Sequence, residues 1–272
     1  MRVWHQGQRQ DAVQDWDRGV QFGDGLFETV KVLKGQPVAL PYHARRLQQG
    51  LDTLGIHAQP ALTLLQQALA VLSDAEDGVL KLIVTRGNSA RGYRVASPLL
   101  ANVTGFFSPL PEFDPAFNQQ GIHLGVCQTQ AAIQTQLAGL KHLNRLDSVL
   151  ASAELQHTAW QEGLMLNALD RVVEGTMSNV FMRIDDQWLT PELCHSGVNG
   201  TVRQRLLDAH PKVFKLADVT RQDLARVSEM FMCNSLIEIW PVNQLTVDAH
   251  TRVLEISSFV RGLQQQLDAS QQ

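Results

Sequence analysis

The chain has 272 residues, of which 44% are apolar and 18% charged, with a formal net charge of −4. This is the composition of a globular protein long enough for two compact units, and it excludes disordered and fibrous classes. Without a basic run, neither nucleic acid nor an anionic membrane finds an electrostatic footprint, so the partner expected is a small molecule.

In chain order, the N-terminal residues carry no apolar signal core, and no stretch approaches the ~18 apolar residues of a membrane span. That predicts a cytoplasmic protein. Phe22-Gly-Asp-Gly25 is a glycine turn running into a strand, with Leu26, Glu28, Val30 and Val32 on one side and Phe27, Thr29, Lys31 and Leu33 on the other. Lys34-Gly35 reads as a hairpin tip. Residues 43–54 form an amphipathic helix with Leu47, Leu51 and Leu54 inward, and a second helix covers residues 61–72. Arg45 and Arg46 fall in the first turn of the first helix, the wrong end of its dipole, where a nearby anion would account for them; otherwise they are two exposed cations. Residues 78–87 read as a strand ending in a polar glycine loop that carries Arg86, Arg91, Tyr93 and Arg94. Arginines on such a loop either bind carboxylates or decorate a surface, and spacing does not choose among the three.

Three prolines in residues 108–115 mark an extended connector. The expected division is a small domain over 1–107, a linker over 108–120 and a larger domain over 121–272, with a ligand cleft between the two. After a strand at 121–127, the apolar residues Leu143, Leu146, Leu150 and Ala153 recur at helical spacing, so a helix is expected from near His142. Lys141, His142 and Arg145 then crowd its N-terminus. A lysine held there beside other cations loses its proton easily and becomes a nucleophile toward carbonyls, unless the turn is simply solvated. Consecutive strands follow over 163–184. Glu174 stands between two apolar runs, where a carboxylate needs either a cationic partner or an exposed strand end. Gly200-Thr201-Val202 opens a helix whose free N–H groups form an anion cradle. A strand at 227–233, the turn Asn234-Ser235-Leu236 and a closing helix over 256–267 complete the chain. Cys127, Cys194 and Cys233 are odd in number and lack metal-ligand spacing, so no disulfide framework and no metal site is expected.

Several of these segments carry a resemblance. Lys141-His-Leu-Asn-Arg-Leu146, preceded by Leu137-Ala-Gly-Leu140, is similar to the active-site segment of the 4-amino-4-deoxychorismate lyases. These are fold-type IV pyridoxal-phosphate enzymes, related to the branched-chain and D-amino-acid transaminases. Glu174-Gly-Thr-Met-Ser-Asn-Val-Phe181 resembles the family segment whose glutamate pairs with the protonated pyridine nitrogen. The resemblance further implies Arg45 as a phosphate ligand, backbone contacts to phosphate from Gly200, Thr201 and Val202, and a last phosphate turn at Asn234, Ser235 and Leu236. That turn keeps one hydroxyl, Ser235, which leaves open whether the contact is through the side chain or the backbone. Phe27 and Thr29 are implied to border the substrate, with Thr29 relaying a proton, and Arg91 is implied to hold a carboxylate. Tyr93 stands where the D-amino-acid transaminases tend to have His, which favours the lyases.

The implied fold is α/β: a small α/β domain and a larger one built on a barrel-like sheet, assembled as a homodimer. The implied reaction uses pyridoxal 5′-phosphate bound through Lys141 to convert 4-amino-4-deoxychorismate to 4-aminobenzoate and pyruvate, in folate biosynthesis. Lys141 also moves the proton on the ring carbon bearing nitrogen. A transaminase on the same fold is the alternative, and a non-catalytic binding protein is a more distant one.

Overall fold

The computed structural model describes residues 2–5, 8–9, 17–72, 77–89, 92–95 and 99–269. Contacts divide the chain into two compact units, one of Met1–Pro111 with Leu140–Asn144 and one of Glu112–Gly139 with Arg145–Gln272.

The first unit is an antiparallel sheet in the order β2-β1-β6-β5-β3-β4. Its strands are β1 (Arg2–His5), β2 (Gln8–Arg9), β3 (Gly25–Leu33), β4 (Gln36–Pro37), β5 (Gly78–Thr85) and β6 (Asn102–Ser108). Three helices accompany it: α1 (Arg18–Phe22), α2 (Leu40–Leu54) and α3 (Ala61–Leu69). The two-residue period expected of β3 is present, with Leu26, Glu28, Val30 and Val32 buried and Phe27, Thr29, Lys31 and Leu33 half-buried between them. Leu47 and Leu51 of α2 and Leu64, Leu65 and Ala68 of α3 are buried with the apolar face of β3 and β5. The β3–β4 hairpin turns at Lys34 and Gly35, both at positive φ.

The second unit holds β7 (Ile122–Val126), β8 (Glu162–Leu166), β9 (Val172–Gly175), β10 (Asn179–Ile184), β11 (Gln187–Pro191), β12 (Phe214–Ala217), β13 (Val227–Asn234), β14 (Glu238–Val247) and β15 (His250–Val253). These form one curled, half-barrel sheet in the order β12-β11-β10-β13-β14-β7-β8-β9, with β15 on β14. Its helices are α4 (Pro115–Gln119), α5 (Leu146–Glu154), α6 (Thr201–Ala209) and α7 (Ser258–Ala269). Both sheet faces are buried, and the strands show it residue by residue. Val180, Met182, Met230 and Met232 join one core cluster, while the alternating Phe181, Phe231 and Cys233 pack with α6 and α7 in the other. The Phe181 and Phe231 rings stack with centroids 4.9 Å apart. Among the described residues no helix is long and apolar enough to cross a membrane.

Two expected helix starts move. α2 begins at Leu40, so Arg45 and Arg46 lie in its second turn, beyond the reach of the dipole argument. α5 begins at Leu146, five residues after Lys141. Residues 140–144 instead run along the edge of β3: Phe27 N–H donates to Lys141 O at 3.0 Å, Leu143 N–H donates to Gly25 O at 3.0 Å, and His142 bridges Leu26. These bonds hold the segment extended and place it, with the lysine, in the first unit. The apolar spacing that suggested the earlier start belongs largely to solvent, since Leu146 and Leu150 are 76% and 60% exposed.

Candidate functional site

In the first unit the lysine sits on the Phe27 face of β3. Its Nζ lies 4.3 Å from the centroid of the Phe27 ring, and the Lys81 Nζ lies 5.2 Å from that same centroid. Lys81 reaches it because β5 pairs with β3 in a register that sets Lys81 opposite Thr29 and Ile83 opposite Phe27. Phe27, Thr29, Lys81 and Lys141 therefore share one half-open surface. Sequence reading passed over Lys81, although its polarity within an apolar strand was the available signal.

On the buried side of β3, Glu28 meets α2. Arg46 binds it with both arms, Nε to Oε1 at 2.8 Å and Nη2 to Oε2 at 2.5 Å, and His43 Nδ1 lies 2.6 Å from Oε2. Burial alone would raise the Glu28 carboxyl, but the Arg46 charge and the bonds from Arg46 and His43 outweigh it and hold the group at about 2. Burial is also the largest influence on His43 and pushes it below its ordinary value, partly opposed by Glu28, with Arg46 and Lys141 adding to the lowering. A neutral His43 facing a carboxylate, which can only accept, carries its proton on Nδ1.

The arginine pair thus divides in a way the resemblance did not imply. His43, Arg46, Leu47, Gly50 and Leu51 follow the 3.6-residue repeat and face the sheet, whereas Arg45 is off that stripe, exposed, and stacked 4.8 Å above the Tyr42 ring. Arg46 and Lys141 both act electrostatically on His43.

The three arginines of the strand-end loop also separate. Arg86 donates from Nε to Asp24 at 2.8 Å, and from Nη1 and Nη2 to the carbonyls of Gly55 and Leu54, closing the C-terminus of α2. It is spent on structure. Arg94 is exposed, and Tyr93, 83% exposed, lies with its ring 5.0 Å from that of Phe22. Arg91 lies outside the described residues. Arg18 anchors the loop through Ser89 Oγ and the carbonyls of Gly92 and Tyr93.

In the second unit Glu174 is buried in β9, and the exposed strand end is ruled out. Its Oε2 accepts Val198 N–H at 2.8 Å, and the Arg145 guanidinium stands 3.9 Å from Oε1. Arg145, preceding α5, is the cationic partner that burial demanded. Asn179 then grips the same loop from two sides, its Nδ2 donating to Val198 O and its Oδ1 accepting Gly200 N–H at 2.9 Å. A β-carbon on Gly200 would lie 2.0 Å from that Oδ1, so only glycine permits the approach. Gly200 caps α6, and helix geometry leaves the following N–H groups, among them those of Thr201 and Val202, without intrahelical partners. Below them Arg203 is buried and bonded to Asn199 Oδ1 and Pro191 O. Burial lowers it to about 10 even though Glu174 and Cys233 oppose the shift.

At the last turn the Oδ1 of Asn234 accepts the N–H groups of Leu236 and Ile237, at 2.8 and 3.0 Å, and its Nδ2 donates to Met177 O. Asn234 and the Leu236 N–H, both expected to contact phosphate, are thereby engaged in shaping the turn, because an Asn side chain mimics a backbone turn two residues on. Ser235 is the half-buried residue between them.

The Amino-transferase class IV family profile matches residues 25–245. The aminodeoxychorismate lyase of Vibrio harveyi is 35% identical over 268 residues, 97% of this chain and 99% of its own. A D-alanine aminotransferase of Bacillus licheniformis is 29% identical over 241 residues, 86% and 83% of the two chains. The crystal structure of the 4-amino-4-deoxychorismate lyase of Pseudomonas aeruginosa is similar at a TM-score of 0.92 and 40% identity, covering 98% of each chain.

Proposed function

Because the chain belongs to the amino-transferase class IV family, we propose that it is a pyridoxal-phosphate-dependent lyase converting 4-amino-4-deoxychorismate to 4-aminobenzoate and pyruvate, a carbon–oxygen cleavage that supplies a folate precursor. The full-length likeness to two lyases carries the choice within the family.

The donor set fits this cofactor. A lysine amine suits its aldehyde, a buried carboxylate flanked by a cation and an amide suits a protonated ring nitrogen, and a glycine-capped helix start suits its phosphate. In this reading Lys141 Nζ holds the aldehyde carbon and, once released, takes the proton from the substrate carbon that bears nitrogen. When bound, the cofactor supplies an electron sink for the charge that proton leaves behind. Glu174 keeps the ring nitrogen protonated, and Arg145 and Val198 N–H hold Glu174 in one orientation. Gly200, Thr201, Val202 and Ser235 face the phosphate, and Arg46 takes the role implied for Arg45. Lys81 and Arg91 attract the substrate's carboxylates, with Phe27 and Tyr93 bordering the ring and Thr29 relaying a proton. A cytoplasmic homodimer completes the reading.

The test is an assay with no α-keto acid added. Purified protein with cofactor and 4-amino-4-deoxychorismate releases 4-aminobenzoate and pyruvate, and Lys141→Ala abolishes both. Turnover that starts only when an amino acceptor is supplied refutes the lyase and makes the protein a transaminase.

A further inference from the structure

Glu162 opens β8 and is fully buried, at 0% exposure. No described residue forms an ion pair with it, which is unusual for a carboxylate taken out of water. Four donors converge on it instead. Thr176 Oγ1 at 2.6 Å, Thr176 N–H at 3.1 Å and Gly163 N–H at 2.9 Å reach Oε1, and Ser178 Oγ at 2.7 Å reaches Oε2. Two hydroxyls and two amides are thus arranged around its two oxygens, with the Thr176 N–H shared with Gly163 O at 3.0 Å.

Thr176 and Ser178 belong to the turn between β9 and β10. That turn is tight: Gly175 N–H donates to Ser178 O at 2.6 Å, and a β-carbon at Gly175 would lie 2.4 Å from Ser178 Oγ and 3.1 Å from Glu162 Cδ. Glu174 immediately precedes the turn and Asn179 immediately follows it. These two grip the 198–200 loop, Glu174 through Val198 N–H and Asn179 through Val198 O and Gly200 N–H.

We propose that Glu162 is a positioning residue that, by fixing the 175–178 turn, sets Glu174 and Asn179 together and so holds the ring-nitrogen carboxylate and the phosphate-facing helix start in one register. This rests on the cofactor assignment for those two groups. Glu162 itself touches neither; it acts through the turn, and a single buried side chain keeps two otherwise separate contacts in step.

The variant of choice is Glu162→Gln, which preserves shape but brings a donor to a site already filled with donors. Ile184→Val, a core change in β10 outside the turn, serves as the control for general loosening. The first readout is cofactor-independent: hydrogen exchange at Val198 and Gly200 N–H in the apoprotein accelerates about tenfold or more in Glu162→Gln, and stays within about twofold of wild type in Ile184→Val. The second is the dissociation constant for pyridoxal phosphate, which rises about tenfold or more in Glu162→Gln alone. Unchanged exchange at both amides, or acceleration equal to that of the control, overturns the inference. Wild-type protein that fails to bind the cofactor at all overturns the cofactor reading, and exchange at the two amides then still decides whether Glu162 governs the loop. If Glu162→Gln does not fold, Ser178→Ala, which removes one hydroxyl from Glu162 Oε2 and leaves the carboxyl in place, is expected to show the same pattern at smaller amplitude, and exchange at wild-type rates in that variant overturns the inference.

Discussion

Replacing Glu28 by Gln removes the negative member of a buried cluster and takes its carboxylate away from Arg46, whose side chain is 10% exposed, and from His43. The loss can be sized from the carboxyl itself. Its folded value of about 2 against an ordinary 4.5 corresponds to roughly 3 kcal/mol of folding stability at neutral pH. Removing one partner of a buried ion pair costs about 3–5 kcal/mol, a range this figure falls within. The sign of the pH dependence follows from both groups. Glu28 is depressed, so its contribution is complete above about 4.5 and fades as pH falls toward about 2. His43 is depressed as well, so the unfolded chain takes up its proton first and stability falls as pH drops below the ordinary 6.5. The assay is urea denaturation of wild type and Glu28→Gln from pH 7 to pH 3. The expected gap is roughly 3 kcal/mol at pH 7, narrowing below pH 4.5. A gap under about 1 kcal/mol at pH 7, or one that does not change between pH 5 and 3, would refute the assignment of this carboxylate as an ionised anchor.

The thiols divide by environment. Burial, helped by Glu154 and Glu162, pushes Cys127 up to about 12, burial alone lifts Cys233 to about 12, and Cys194 is exposed. One thiol per chain is therefore expected to react with a chromogenic disulfide reagent at pH 8 and all three in denaturant, and rapid modification of a second thiol in folded protein contradicts this. Gly200→Ala forces Asn179 away from the loop by placing a β-carbon where its Oδ1 now lies. Equilibrium dialysis should show pyridoxal-phosphate affinity falling about tenfold or more while the melting temperature drops by only a few degrees, since one neutral hydrogen bond is worth about 1 kcal/mol; unaltered affinity would remove α6 from the phosphate site.

The elements that set the fold were mostly legible because local pattern decides them. The alternation in β3, the hairpin tip at Lys34-Gly35 and the helix after Gly200 all stand where periodicity and turn chemistry put them. What failed depends on partners far along the chain. The segment around Lys141 looks helical from apolar spacing, yet it is extended because Gly25 and Phe27, more than a hundred residues earlier, take its backbone bonds. Arg45 and Arg46 are adjacent in sequence and opposite in role, and the helix phase set by His43, Leu47 and Gly50 would have separated them. Glu28 was read on the correct face, but nothing local showed that α2 would answer it with a histidine and an arginine. Glu162 gave no signal at all, because a carboxylate opening a strand looks like surface until its four donors are seen.

Leu140–Asn144 is a five-residue excursion: the chain leaves the second unit after Gly139, lends a lysine to the edge of β3, and returns at Arg145. A fragment ending at Pro111 would therefore lack that edge strand and its amine, and a fragment starting at Glu112 would carry the lysine without the sheet it lies against. Cutting the chain between Pro111 and Glu112 thus parts this amine from the strand that bonds its backbone.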